Sequence, residues 1–303
     1  MLDFNYLVPT GANIQMFVNT ESTAAVATRW HTWVKPRGTK MVFIFAVGGG
    51  ASGVFSPVAA GALAGGSGAQ TAVLIPAMMI PDILYVWTGR GGLGTVSGDA
   101  GHPTYVAVEP FVSGTTAAPP YAYLRPQIVV ASANGAVGAA SVTGGTVSII
   151  DQMSMAGRGL WNSIVGNNGA AGQANQTAPT NGNMHLGGAG GAATTNTPTG
   201  IRGAFQPPPL LTTASRYFSA NQNSGGIEGV AAPAPPGNPP SAWWHYSQGG
   251  TGGGGATSGG PAGIGGAGNL GAGGGGSGGT STAFTSITAS GPGGSGYCYI
   301  ISW

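Results

Sequence analysis

The chain has 303 residues, of which 60 are Gly and 22 Pro, with only nine Lys or Arg and seven Asp or Glu. Seven Trp, nine Tyr, nine Phe and a hydrophobic fraction of 42% exclude the aromatic-poor, charge-rich composition of a disordered chain. A net charge of +2, with no basic cluster beyond Lys35, Arg37 and Lys40, excludes a nucleic-acid-binding face.

MLDFNYLVPTGAN (1–13) has neither the basic nor the apolar stretch of a secretory signal, so none is expected. MVFIFAV (Met41 to Val47) is a continuous apolar run of strand length that stops at Gly48-Gly49-Gly50. DILYVW (Asp82 to Trp87), TYVAVEPF (Thr104 to Phe111), QIVVAS (Gln127 to Ser132) and TVSII (Thr146 to Ile150) follow. Each is β-branched or aromatic and bounded by Gly, Pro or Ser, which predicts strands. Only ALAG near Leu63 and QMSMAGRGLWNSIV (Gln152 to Val165) approach a helical pattern. No apolar run is long enough to span a bilayer as a helix.

From about Asn167 to Thr280 the composition shifts to Gly, Ala, Asn, Thr and Pro. In GGPAGIGGAGNL the larger residues Pro261, Ile264, Ala267 and Leu270 recur every third position, and LGGAGGA repeats this with Leu186, Ala189 and Ala192. Three is the repeat of polyproline II, and Ala262 and Asn269 break the strict glycine register of collagen. The pattern predicts a bundle of polyglycine-II-like strands whose larger residues point outward; a flexible linker is the alternative. At the C-terminal side, Tyr297, Tyr299, Ile301 and Trp303 alternate with Cys298, Ile300 and Ser302, as a strand does.

Chemistry-bearing motifs are few. GRGGLG (Gly89 to Gly94) matches the dinucleotide fingerprint, but TVSGDAGHPTY after it has no helix to receive a pyrophosphate. His31, His102, His185 and His245 lack metal-ligand spacing, and His31 in RWHTW is expected to pack against Trp30 and Trp33. The lone Cys298 excludes a disulfide framework and a Cys-based zinc site. Asp3, Glu21, Asp82, Asp99, Glu109, Asp151 and Glu228 include no close pair for glycoside hydrolysis. No catalytic residue, cofactor or metal is therefore expected. The one conspicuous surface candidate is SAWWHYS: Trp243, Trp244, His245 and Tyr246 could stack on a receptor or glycan, or pack against a neighbouring subunit. PAPPGNPP (Pro233 to Pro240) stiffens the approach to it.

Trp33, Pro36 and Gly38, then MVFIFAV and Gly48 to Gly50, followed by ILYVWTGRGGLG (Ile83 to Gly94) and GPGGSGYCYIISW at the end, resemble the glycine-rich domain proteins of tailed bacteriophage virions. The resemblance covers the first hundred residues and the C-terminal strand. It implies a structural virion protein such as a spike, fibre, decoration or tail protein, or an adhesin for host attachment at a tail-fibre tip. It also implies copies of itself (a homotrimer or higher), other virion proteins as partners, assembly in the host cytoplasm and release by lysis.

The expected architecture is mainly β with little helix: a β-sandwich-like N-terminal part and a bundle of polyglycine-II extended segments. The expected division is 1–165, β-rich with glycine-rich turns, and 166–303, a glycine-rich bundle closed by a C-terminal strand, with one continuous domain as the alternative. The expected function is non-enzymatic, without nucleic-acid binding or membrane insertion. A glycine-rich ice-binding or extracellular matrix protein is the more remote alternative, disfavoured because Thr194, Thr195, Thr197 and Thr199 form no repeated face.

Overall fold

The structure is a computed structural model. It describes residues 11–19, 30–54, 62–95, 98–110, 129–138, 143–146, 160–166, 168–169, 263–277 and 289–303. These form nine strands: β1 (Asn13–Val18), β2 (His31–Val34), β3 (Met41–Val47), β4 (Gln70–Pro76), β5 (Ile83–Trp87), β6 (Thr104–Ala107), β7 (Val129–Ala133), β8 (Leu160–Ile164) and β9 (Tyr297–Ser302). The helical content among the described residues is a single 3-10 turn, Ala77–Met79. One sheet has the order β1-β9-β3-β4-β8, the other β2-β5-β6-β7, and every pairing is antiparallel. The mainly-β expectation holds.

Neither of the two segments that approach a helical pattern is helical where it is described. Within Gln152–Val165, residues 160–164 form β8, paired with β4 from Gln70↔Ile164 to Leu74↔Leu160. The segment at Leu63 is also non-helical; residues 62–69 run without regular helix or strand into β4. In both places ladder and inter-segment hydrogen bonds replace the helical ones that a weak local propensity would supply. The strand expected over Thr104–Phe111 ends at Ala107, and residues 147–150 of TVSII lie outside the described residues.

The two sheets pack face to face. Val42, Ile44, Ala46, Val73, Ile75, Cys298 and Ile300 of the first meet Trp33, Leu84, Val86, Val106, Ala131 and Ala133 of the second. A β-bulge at Val130 sits between the pairs Val106↔Ala131 and Ala107↔Val129. The extra residue turns Val130 into the same core as Ala131. Period-2 alternation then sends the other residues of β3 and β9 to the far face, where Phe43, Phe45, Val47, Tyr297, Tyr299 and Ile301 form a second core. Phe45 lies directly opposite Tyr299, their rings stacked at 5.2 Å. MVFIFAV is apolar at every position because both of its faces are buried. Removing both alternations from water stabilises the fold at roughly 25 cal/mol per Å² of apolar surface, so β3 and β9 contribute from both faces.

The Trp-x-x-Pro-x-Gly stretch is the crossing between sheets. Trp33 is fully buried at the end of β2. Thr39 Oγ1 donates to the Pro36 carbonyl at 2.7 Å, closing a turn, and Gly38 has φ +83°. That left-handed conformation favours a residue without Cβ.

At one end of the sandwich the strands continue as glycine-rich segments. β3 runs into 48–54, β5 into 89–94 and β7 into 134–138, while 62–69, 98–103 and 289–296 lead into β4, β6 and β9. Segment 48–54 donates hydrogen bonds with a period of three. Gly48, Ala51 and Val54 donate to Ala69, Gly66 and Leu63; Gly49 and Ser52 to His102 and Asp99; Gly50 and Gly53 to Gly294 and Gly291, all at 2.8–3.0 Å. Its carbonyls accept from Ala136, Gly92 and Gly274 at 49, 50 and 51. One segment thus bonds to six surrounding ones. The same period recurs where Ala62, Gly65 and Gly68 donate to Ser277, Gly274 and Gly271. Three residues per turn with neighbours on all sides is the arrangement expected of polyglycine II.

The array therefore includes the glycine runs after β3 and β5, which the sequence suggests to be turns, together with segments 263–277 and 289–296. As the triplet pattern predicts, Ile264 faces solvent, whereas Leu270 packs against the Phe43–Ile301 cluster. Glycine is required by space: a Cβ on Gly50 would overlap the backbone carbonyl of Ala272, and one on Gly53 that of Gly275.

A contrast between two substitutions tests this. Gly50→Ala must push backbone apart inside the array and is expected to cost roughly 3 kcal/mol or more. Gly38→Ala has open space around it and bears only the left-handed backbone cost, about 1–2 kcal/mol. Urea unfolding of both variants measures the difference, and equal costs would sink the close-packing account.

Candidate functional site

Charge is rare in this chain, so a charged cluster set within the array, with Arg90 and His102 buried and Asp99 half-buried, is the most conspicuous polar feature. Arg90 stands where β5 becomes segment 89–94, and Asp99 and His102 where segment 98–103 leads into β6. The Arg90 Nη2 donates to Asp99 Oδ2 at 2.9 Å and lies 3.2 Å from His102 Nε2. Asp99 Oδ2 also accepts from the Leu93 amide at 2.8 Å, and the Asp99 amide donates to Ser52 Oγ at 2.8 Å. Backbone bonds run parallel to these: His102 N donates to Arg90 O at 2.8 Å and Ser52 N to Asp99 O at 2.9 Å. The side chains thereby tie together segments 48–54, 89–94 and 98–103, each derived from a different strand.

Arg90 and His102 are each 6% exposed. A guanidinium only donates, so His102 Nε2 must accept, which places its proton on Nδ1 and makes the ring neutral. Burial and the adjacent Arg90 charge both push the His102 pKa below its ordinary value, with Asp99 opposing them. With Arg90 buried and Asp99 partly exposed, the pair contributes through geometry more than through net charge attraction, since desolvation of the guanidinium offsets much of the Coulomb gain. Arg90 Nε and Nη1 find no partner among the described residues. The arrangement fixes the angular relation of three backbone segments and holds a neutral imidazole in place. With its histidine proton directed away from the arginine, it is built as a lock.

The glycines of GRGGLG serve packing. A Cβ on Gly89 would overlap the His102 carbonyl, one on Gly91 the Gly293 carbonyl, and one on Gly92 the Asp99 carbonyl and the Ser52 amide. Thr104 completes the junction, donating to Val47 O at 2.7 Å and accepting from the Gly89 amide at 3.0 Å.

A second feature lies on the surface. Val34 and Ile83, paired across β2 and β5, are exposed beside the turn carrying Met78 and Met79, and Met78 is 88% exposed. Lys35 organises this end of the fold: its Nζ donates to the Ala77 and Ile80 carbonyls, each at 3.0 Å, and pairs with Asp82 at 2.9 Å. The Lys35–Asp82 pair is surface-exposed on the carboxylate side and adds little on its own. Its effect is to hold the 3-10 turn so that both methionines face outward.

Trp243, Trp244, His245 and Tyr246 lie outside the described residues, as do His185 and His245 among the histidines. His31 is exposed, with its ring 5.7 Å from that of Phe17. Trp33 is buried in the core between the sheets, and Trp30 meets Trp87 with tilted rings 5.9 Å apart. The aromatic ring that the structure shows against His31 is that of Phe17 on β1. Cys298 is fully buried and its thiol pKa is pushed far above the ordinary range by desolvation, which leaves it inert in the folded chain. Among the described residues no three His, Cys, Asp or Glu side chains gather in a metal-binding group, and no helix is long and apolar enough to cross a membrane.

Comparison with known proteins adds no family: no protein-family model and no curated protein sequence matches the chain.

The neutral His102 has a consequence for pH. Its pKa is lowered by folding from an ordinary 6.5, so below that pH the unfolded chain takes up a proton that the folded chain resists. Stability from this group is fully present above about pH 6.5 and falls as pH drops toward the folded-state pKa. His102→Gln keeps an acceptor for Arg90 without titrating. The wild type is expected to lose more stability than His102→Gln between about pH 7 and 5. Urea unfolding at each pH checks this, and parallel curves would count against a neutral buried His102.

Proposed function

We propose that this chain is a non-enzymatic structural protein of a bacteriophage virion, present in several copies among other virion proteins. The observation that carries the reading is the backbone-bonded array. It makes a rigid body from a charge-poor sequence whose surface polarity comes from Ser, Thr, Asn, Gln and exposed backbone. Such a body keeps its shape through contacts that salt does not screen. It suits a part packed among neighbours, where a charged solubilising surface is unnecessary. The exposed Val34, Met78, Met79 and Ile83 add apolar area of the kind that protein contacts cover.

A second reading, an adhesin for host attachment, rests on the sequence SAWWHYS, whose Trp243, Trp244, His245 and Tyr246 are of the kind that stack on a receptor or glycan.

Density-gradient sedimentation of a lysate from producing cells tests both readings. The protein is expected to band with particles and to remain there after a wash in high salt. Recovery only in the soluble fraction would overturn the virion reading. If particles carrying Trp243→Ala and Trp244→Ala still assemble but lose most of their adsorption to cells, the adhesin reading replaces the purely structural one.

A further inference from the structure

Few groups in the array can change charge. Segments 48–54, 62–69, 134–138, 263–277 and 289–296 carry no titratable side chain. Segments 89–94 and 98–103 add Arg90, Asp99 and His102, and β6, which follows His102, adds only the phenol of Tyr105. Of these residue types, histidine alone ordinarily changes charge between about pH 5 and 8.

His102 is held where a second proton does not fit. Its Nε2 lies 3.2 Å from Arg90 Nη2, a nitrogen that only donates, and both residues are 6% exposed. A proton on Nε2 would set N–H against N–H and place one buried positive charge beside another. The charges acting on His102 are those of Arg90 and Asp99. Asp99 Oδ2 is already engaged by Arg90 at 2.9 Å and by the Leu93 amide at 2.8 Å. One partly exposed carboxylate does not neutralise two buried cations, so the charged ring must turn toward water. Backbone clasps His102 on both sides: a Cβ on Gly89 would overlap the His102 carbonyl, and one on Gly135 the Gly101 carbonyl. With no free space inside that clasp, segment 98–103 gives way with the ring.

We propose that His102 is a proton-operated latch: uptake of one proton at Nε2 parts segment 98–103 from 89–94 and opens this corner of the array, while the sandwich stays closed. The proton comes from solvent and remains on the ring, so the step reverses on neutralisation. The bonds released with it run from His102 N to Arg90 O, Gly49 N to His102 O and Ser52 N to Asp99 O, and they join segment 98–103 to its neighbours. The buried residues described in the two main cores include no histidine or carboxylate, so acid leaves those cores unchanged. The pH dependence of unfolding above follows from a neutral ring alone; the latch adds which part opens first and that the rest does not. It belongs to the array itself and operates whether or not the chain is part of a particle.

Amide exchange, corrected for the intrinsic effect of pH, locates the opening. Between about pH 7 and 4.5, protection in residues 89–94 and 98–103 of the wild type should fall roughly tenfold or more, while β3 and β9 keep theirs. Protection should recover when the sample is returned to neutral pH. In His102→Gln the same residues should change by less than about twofold. Should that variant fail to fold, nitrogen NMR of the wild-type histidines supplies the second measurement. His102 must carry its proton on Nδ1 at neutral pH and must titrate with the midpoint of the exchange change. Protection unmoved by acid, an equal loss in His102→Gln, a titration that does not track exchange, or a loss that spans β3 and β9 as well would each overturn the proposal.

Discussion

Everything in this fold depends on what happens to a backbone when its Cβ atoms are removed. In the sandwich, side chains hold two sheets about 10 Å apart, and each strand can hydrogen-bond only to neighbours within its own sheet. Past Val47 the side chains vanish, and segment 48–54 bonds directly to chain that continues both sheets. It reaches 62–69 and 289–296, which lead into β4 and β9 of its own sheet, and also 98–102 and 134–138, which belong to β6 and β7 of the other. The two layers thus merge into one lattice at the end of the strands. The register of the sandwich and the register of the lattice have to agree, because the same segments carry both.

That continuity explains why a chain with a fifth of its residues as glycine is ordered. Each glycine loses more backbone freedom on folding than any other residue, so the array begins with a large entropic deficit. It is offset by hydrogen bonds made on all sides of each segment and by the two apolar cores that orient the segments entering it. The Arg90–Asp99–His102 cluster performs a related task. Polyglycine has no side chains with which to distinguish one neighbour from another, and a lattice of identical segments could shift by one triplet at little cost. A half-buried ion pair that reaches Leu93 and meets Ser52 at the Asp99 amide makes such a slip leave the buried Arg90 charge without its carboxylate. Specifying one register is the best-attested use of a buried polar group.

The sequence made much of the sandwich legible and little of the lattice. β3, β5, β6, β7 and β9 are readable because their alternation or unbroken apolar character matches burial on one or both faces. β1 and β2 escape notice because each mixes polar and apolar residues over a short length; β4 is as long as β3, but its apolar run is framed by Gln70-Thr71 and Pro76 and does not stand out; and β8 is disguised by a weakly helical stretch. The threefold repeat is visible at Ile264 and Leu270, where larger residues mark every third place. It is hidden at 48–54, where a run of glycines after a strand looks like any turn. Arg90, Asp99 and His102 are separated along the chain and carry no recognised motif. Their signal is that they are charged or titratable residues embedded in glycine runs of a chain that has few charges to place.

The same physics divides the surface into two kinds. Where the lattice reaches solvent it presents backbone and small residues, which hydrate well and bind weakly. Where the sandwich reaches solvent it presents strand edges and apolar tips. Specific association must therefore come from the sandwich side, since recognition requires side chains that fill pockets or edges that accept a strand. Most exposed apolar residues on the described surface lie there, at β1 and around the 3-10 turn, with Val137 and Ile264 on lattice segments and Val165 just past β8. A body of this design keeps its shape through the lattice and makes its contacts through the strands. The two tasks can then change independently: substitutions at Met16 or Met78 leave the array untouched, while any side chain added at Gly50 disturbs every segment around it.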